Sequence, residues 1–573
     1  MPSLVIRLLP SLLLTISFST WAQEVQTPRQ AYEYLQNERH RAQALGIETE
    51  HPPADSLQKA IRILQEALQY YHRPEVEVLA QAYDPLFYRE SDILFDLAKV
   101  QLNAGQPTSA VESLDKILTK PYGHIYADLI QKDTIFSPIR HDSAFVSALA
   151  KSQAVRRVFH SDALKTPYAP NISEAEKIAG LSKFWAEAKY NFVYFDQVPE
   201  LEWDQLYLEY LPKVQATSST LEYFRVMQEF CAQLQDGHTS VWPTAEPLAN
   251  LVYGRPAFLT RLVEDKVLVD EVFSDSLEQL GIRFGVEVVH IDGVPVQEYA
   301  IQHIQPYQNG STPQNVVVGT YTYELLRGPK DQPVEVTFKG ANGLFRHSLP
   351  RSGYSDYHAT PAFRLRVLAG NIAYVELNNF DNDEAWKRFE VAFDSVAATD
   401  ALILDVRRNG GGDSSYGWNI LGCLTDSAFR TGSYSWRLYS PMRRNNILGQ
   451  QYKISSQGTW LAQKGKSYTK PVVVLTSGRT FSAAEDFVVA FDAMKRGKLI
   501  GETTGGSTGY PLEFDLPGGL KARVCMKRDT YPDGQEWVGV GLKPDIVVRP
   551  KAADLQAGRD TVLEAALEYL EKL

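Results

Sequence analysis

Residues 470–494 read KPVVVLTSGRTFSAAEDFVVAFDAM, and this stretch decides the fold class. Pro471 to Thr476 is a short apolar run bounded by turn residues, the pattern of a strand buried on both faces. Ser477-Gly478-Arg479-Thr480 is a turn, and a helix is predicted from Ser482 to Met494. Ala483, Phe487, Ala490, Phe491 and Met494 then share one face. The first residue of that helix has unpaired backbone N–H groups around it and the positive end of the helix dipole beside it. A serine there, Ser482, has what acyl transfer needs: a nucleophile next to donors for an oxyanion. Ser482-Ala483-Ala484-Glu485 is also a capping box, in which the serine ends the helix and Glu485 reaches back to it. The segment alone leaves both readings open.

The same strand-turn-helix grammar extends outward. Ile372 to Leu377 and Ala401 to Val406 are further buried-strand runs. Two more strands are expected around Leu512 to Val524 and Val538 to Val548, and a last amphipathic helix at Thr561 to Leu570. Residues 355–573 therefore predict a covered α/β sheet. The strand at 401–406 runs into Arg407-Arg408-Asn409-Gly410-Gly411-Gly412. A glycine run after a buried strand lets the backbone approach a ligand and present N–H groups, so Gly411 or Gly412 is a candidate second oxyanion donor beside Ala483. A phosphate loop is disfavoured, because Gly465-Lys466-Ser467 would require glycine at 460, where Trp460 stands.

Residues 252–350 change to short strands with turn signals, Ala257 to Leu259, Val267 to Val269 and Val334 to Val336 among them. GIRFGVEVVHIDGVPV (281–296) carries a strand closed by the Asp292-Gly293 turn and resembles the strand and turn of PDZ domains, which take a peptide as an added strand. Residues 174–248 are helical and aromatic-rich up to the glycine of Asp236-Gly237-His238-Thr239. Before a linker at 166–173, residues 23–165 read as helices. LAKVQLNAGQPTSAVESLDKIL (97–118) resembles one tetratricopeptide-type pair. Packing or contact with a protein partner is the expectation for this appendage.

Composition bounds the rest. A chain of 573 residues with 44% hydrophobic and 22% charged residues is ordinary soluble protein of about three or four domains. The formal net charge of −11 gives no basic footprint for nucleic acid. Arg7, the apolar run Leu8 to Phe18 and Thr20-Trp21-Ala22 make residues 1–22 a signal peptide cleaved after Ala22, shorter in its apolar part than the about 20 residues of a membrane span. An exported protein is expected, periplasmic rather than secreted or bound at the cell surface. Cys231, Cys423 and Cys525 fit neither a zinc cluster nor a disulfide framework, and no cofactor is implied.

Taken in order, LQDGHTSV, NIAYVELNNF, ALILDVRRNGGG, VVVLTSGRTFSAAEDFV, LIGETTGGSTG and DGQEWVGVGLKPDI resemble the C-terminal-processing and tricorn-type serine peptidases, over roughly residues 175–573. The resemblance implies a crotonase-like (ClpP/crotonase) α/β core with a PDZ-like domain, acting on peptide or protein substrates; the lack of a phosphate-loop motif already argues against a nucleotide. It implies Ser482 as nucleophile. In the processing branch the base is a lysine in a block like GE-x-T-x-GKG; here Gly506 and Ser507 stand at that place, so a Ser-Lys mechanism is out. In the tricorn branch the base is a histidine in a block like DGHT and a later glutamate completes the set, positions matched by His238 and Glu536. That branch often has a serine before the histidine, where this chain has Gly237. A link from Glu536 to His238 would then be direct, through water or through Thr239. The alternative is a non-catalytic periplasmic peptide-binding scaffold on a dead peptidase core; acyl-CoA chemistry on the same fold fits an exported protein poorly.

Overall fold

The computed structural model describes residues 27–573 apart from 121, 160, 447–450 and 456–457. Residues 1–22, expected to be a signal peptide, lie outside the described residues. The chain divides into two compact units between Ser161 and Asp162. The first is helical. Ala54–Tyr71 buries Leu57, Ala60, Ile61, Leu64 and Ala67 on one face, and Arg89–Asn103 and Pro107–Leu118 form a helical hairpin broken at Gly105, whose φ is +70°. No helix among the described residues is long and apolar enough to cross a membrane.

The second unit begins with helices α1 (Glu174–Asn191), α2 (Trp203–Ala216) and α3 (Thr220–Ala232), followed by strand β1 (Ser240–Pro243). The aromatic residues of this stretch are core: Phe184, Trp203 and Phe230 are buried together, with Trp203 stacked on Phe230. An inserted antiparallel sheet follows, with β2 (Phe258–Val263), β3 (Lys266–Val272), β4 (Glu287–Ile291), helix α4 (Pro313–Val318), β5 (Val334–Gly340) and β6 (Gly343–Leu349). Its strand order is β2-β3-β4-β5-β6, and it has a hydrophobic core of its own.

The central sheet is built from β7 (Phe363–Leu368), β8 (Ile372–Leu377), β9 (Ala401–Asp405), β10 (Val472–Thr476), β11 (Lys498–Gly501) and β14 (Ile546–Val547). Helices α5 (Glu384–Ala397), α6 (Ser414–Leu421), α7 (Ala483–Ala493) and α8 (Thr561–Leu570) accompany it. Its order is β14-β11-β10-β9-β8-β7, parallel throughout except for the β7–β8 pair. Every residue of β8, β9 and β10 is buried, because alternate side chains face two different cores. Leu402, Leu404 and Val474 point to the larger core with Phe389, Phe487 and Phe491. Ile403, Val473 and Leu475 meet Val562, Ala566 and Leu570 of α8 on the other side. That double burial is why these strands are continuous apolar runs.

A hairpin of β12 (Pro511–Leu516) and β13 (Leu520–Cys525) pairs with β1 as a separate three-stranded sheet. The strand expected over Val538–Val548 is reduced to Ile546–Val547. Gly539 and Gly541 hold φ of +87° and +93°, a left-handed path that cannot continue a ladder.

Candidate active site

The site forms where β10 gives way to α7, and the turn between them is pinned from below. Ser477 Oγ donates to the Arg407 carbonyl at 2.6 Å and Thr480 Oγ1 to the Val406 carbonyl at 2.9 Å, so the turn is tied to the exit of β9. Ser482 follows with φ +56° and ψ −125°, a strained backbone for a residue with a Cβ. The strain lifts its side chain away from the helix: Ser482 Oγ makes no side-chain cap hydrogen bond and instead lies 2.9 Å from His238 Nε2. The glutamate half of the capping reading is present, Glu485 Oε2 accepting from the Ser482 N–H at 3.2 Å.

The glycine loop closes the other side of the nucleophile. Asn409 is fully buried, donates to the Leu377 carbonyl at 3.0 Å and accepts from the Gly411 N–H at 2.9 Å. A Cβ on Gly411 would come within 2.7 Å of Ser482 Cβ, and φ is +106°. Gly411 is therefore required by close approach, and its N–H is already used. Among the described residues the N–H groups of Gly412 and Ala483 have no acceptor in the chain.

His238 stands in the turn after α3. Its ring lies flat on Phe481, 4.9 Å between centroids and 3° between planes. Nδ1 is 2.8 Å from Ser507 Oγ. In the tautomer protonated at Nδ1, that N–H donates to Ser507 and Nε2 accepts from the Ser482 hydroxyl, the arrangement a base requires. Burial, reinforced by the positive charges of Arg523 and Lys527, pushes the imidazole down to about 3, so it is neutral at physiological pH.

The structure corrects the expectation for Glu536. Its carboxylate is half exposed and takes two hydrogen bonds from Arg528, at 2.8 and 2.7 Å. Thr239 offers no relay either: its hydroxyl donates to Asp236 at 2.6 Å and accepts from the Cys525 N–H. What the surrounding block contributes is backbone. The Gly539 N–H donates to the Gly506 carbonyl at 2.9 Å and the Leu542 N–H to Thr504 Oγ1 at 2.8 Å, which props the 504–507 loop against the imidazole.

Two residues of this site carry more than their sequence reading gave them. Ser507 was legible only as the place of a missing lysine, and a hydroxyl at that position was the available signal. Glu485 was legible only as a cap. It is fully buried and accepts from Ser482 N–H, Ser507 N–H (3.0 Å), Gly506 N–H (2.7 Å) and the Thr504 hydroxyl. Burial outweighs those four donors and pushes its carboxyl up to about 8. Glu485 thus fastens the loop that carries Ser507 to the helix that carries Ser482.

Residues 371–548 match the model of peptidase family S41. The chain is 26% identical over 289 residues to the carboxy-terminal processing protease CtpA of Bacillus subtilis, 48% of this chain and 57% of that protein. It is 24% identical over 402 residues to a tricorn protease homolog of Streptomyces coelicolor, 65% of this chain and 30% of that one. The chain spans 57%, 58% and 62% of the length of three processing-protease relatives. Among solved structures, mature CPAF in complex with lactacystin superposes with a TM-score of 0.52 at 14% identity, over 70% of this chain and 97% of that one; at that identity the likeness is one of fold. With its strand-turn-helix junction and glycine loop inside the segment that matches peptidase family S41, this chain is similar to the carboxy-terminal processing proteases.

Proposed function

We propose that this protein is a serine peptidase that hydrolyses peptide bonds of proteins or peptides, with Ser482 as nucleophile and His238 as base. The observation that carries the reading is the 2.9 Å contact between Ser482 Oγ and His238 Nε2 across 244 positions of sequence. His238 Nε2 takes the hydroxyl proton as Oγ attacks the scissile carbonyl. The N–H groups of Ala483 and Gly412 hold the resulting oxyanion, and each such donor is worth roughly 3–4 kcal/mol in other enzymes. The imidazolium then protonates the leaving amine, and the acyl group stays on Ser482. His238 next deprotonates water, which attacks the acyl carbon and releases the acid and the free serine. Ser507 holds the Nδ1 side of the ring throughout.

Within this reading the core is crotonase-like, the inserted sheet PDZ-like and the N-terminal helices tetratricopeptide-like, with partner contact as the role of those helices. Export to the periplasm is supported by the basic, apolar and small-residue order of residues 1–22. Incubation with a fluorophosphonate probe and with unfolded protein tests the activity: wild type is labelled and cleaves, and failure of both would overturn the reading in favour of a binding scaffold.

Two further results are expected. Because burial holds His238 neutral, the labelling rate should change little between pH 7 and pH 5. A rate halved near pH 6.5, the ordinary imidazole value, would contradict the described environment of the ring. Ser507→Ala should slow labelling by about 10-fold, by analogy with other residues that orient a catalytic base, whereas Glu536→Gln should leave it within about twofold, as for a surface ion pair. The reverse order would restore Glu536 as the residue that orients the base.

A further inference from the structure

The turn that carries His238 is held by a segment of the inserted sheet domain rather than by the central sheet. Asp236, 1% exposed, accepts from Thr239 Oγ1 on one oxygen and from Ser311 Oγ, at 3.2 Å, on the other. The same Ser311 hydroxyl accepts the Gly237 N–H at 3.0 Å. Ser311 thus bonds to the two residues immediately before the imidazole. Its neighbours make the hold a strap. Asn309 donates to the Thr239 carbonyl, just after His238. Thr312 Oγ1 donates to the Gly505 carbonyl at 2.7 Å. Gln314 Nε2 donates to the Thr504 and Val540 carbonyls at 2.9 and 3.0 Å. One short run, residues 309–314, therefore grips both loops that flank the ring: 236–239, which carries it, and 504–507, which meets its Nδ1. The approach is close enough that a Cβ on Gly237 would lie 2.8 Å from Asn315 Oδ1 and 2.9 Å from the Phe481 ring.

Resting on the peptidase reading, we propose that Ser311 is a positioning residue for the reaction, aiming the His238 imidazole at Ser482 through Asp236 and the Gly237 N–H. A general base works only within hydrogen-bond reach of its proton, and misplacement by about 1 Å costs up to about 10²-fold. The inserted domain then does more than present a surface: it completes the geometry of the base. Without the Ser311 hydroxyl, Asp236 loses one of its two side-chain donors and the Gly237 N–H loses its acceptor. Asp236 is buried and Gly237 half-buried, so the turn must shift or admit water.

The test compares Ser311→Ala, Ser311→Thr and, as a control elsewhere in the insert, Gln302→Ala, whose side chain donates to exposed Glu298. Two readouts are taken. The first is the fluorophosphonate labelling rate against pH. The second is the His238 imidazole titration by NMR with labelled histidine, its signal assigned by loss in His238→Ala. The titratable groups around the ring are Asp236 in its own turn, Arg523 on β13, Lys527 beyond it and Glu485 on α7 behind Ser507. Ser311→Ala leaves them all in place. The expected result is labelling slowed by about 10-fold or more in Ser311→Ala, with the His238 titration moved up toward the ordinary imidazole range and the thermal transition kept. Ser311→Thr should recover the rate, and Gln302→Ala should match wild type. Wild-type labelling and an unmoved His238 titration in Ser311→Ala would overturn the inference and leave the peptidase reading intact. If wild type itself is not labelled, the peptidase reading fails, and the titration still decides whether Ser311 governs the imidazole.

Discussion

Ser482→Ala is expected to abolish fluorophosphonate labelling and lower peptide hydrolysis by at least about 10⁴-fold, the scale seen when the nucleophile of a serine peptidase is removed. The fold should survive the change. Alanine keeps the Cβ, so the backbone strain at φ +56° is no greater, and the backbone bonds from Ser482 N–H to the Ser507 carbonyl and to Glu485 remain available. His238→Ala should cost a similar factor, because this imidazole is the base that hydrogen-bonds the Ser482 Oγ. The double variant should be little worse than either single one, since nucleophile and base act as a unit. Activity remaining after the double change would come from the N–H groups of Ala483 and Gly412 alone. Labelling that persists in Ser482→Ala would place the nucleophile elsewhere and end the present assignment.

The second large effect is expected at Glu485, and it joins stability to activity. Glu485→Ala leaves the Gly506 and Ser507 N–H groups and the Thr504 hydroxyl without the acceptor they share. Each stranded buried donor costs about 1–3 kcal/mol, so a loss of about 3 kcal/mol or more in the stability of this unit is expected from the three together. Labelling should fall with it, because the released loop is the one that holds Ser507 against His238 Nδ1. Glu485→Gln is milder, keeping one acceptor oxygen but turning an amide NH₂ toward N–H donors. A pH dependence separates charge from shape. The folded carboxyl keeps its proton up to about pH 8, while an unfolded one releases it near 4.5. Across that window the native state binds the extra proton, so this group's contribution to stability declines as pH rises. Glu485→Gln should flatten that decline. A Glu485→Ala protein with an unchanged thermal transition and labelling within twofold of wild type would show that the four-donor clamp is dispensable.

These expectations also mark how far the sequence could be read. The strands at 372–377, 401–405 and 472–476 were legible because burial on two faces writes itself as continuous apolar residues. The 538–548 segment misled for the complementary reason. Its valines suggested a strand, but the glycines between them take left-handed backbone and make a loop whose N–H groups brace Gly506. The helix after Ser482 was legible from its apolar face, while the competing cap and nucleophile readings of the same serine were not separable there. Both use an oxygen at a helix start, and only the direction of the side chain distinguishes them.

By itself the sequence determined the order of elements, the covered sheet and the candidates Ser482, His238, Gly411, Gly412 and Ala483, since local periodicity and ordered blocks are properties of the chain. Tertiary structure alone decided which polar groups meet. It set Ser507 rather than Glu536 on the imidazole, made Glu485 a clamp as well as a cap, assigned the Gly411 N–H to Asn409, and brought Ser311 from an inserted domain to the base turn. Hydrogen bonds reach about 3 Å, and contacts across 244 or 269 positions depend on how separate loops are packed, which no local pattern records.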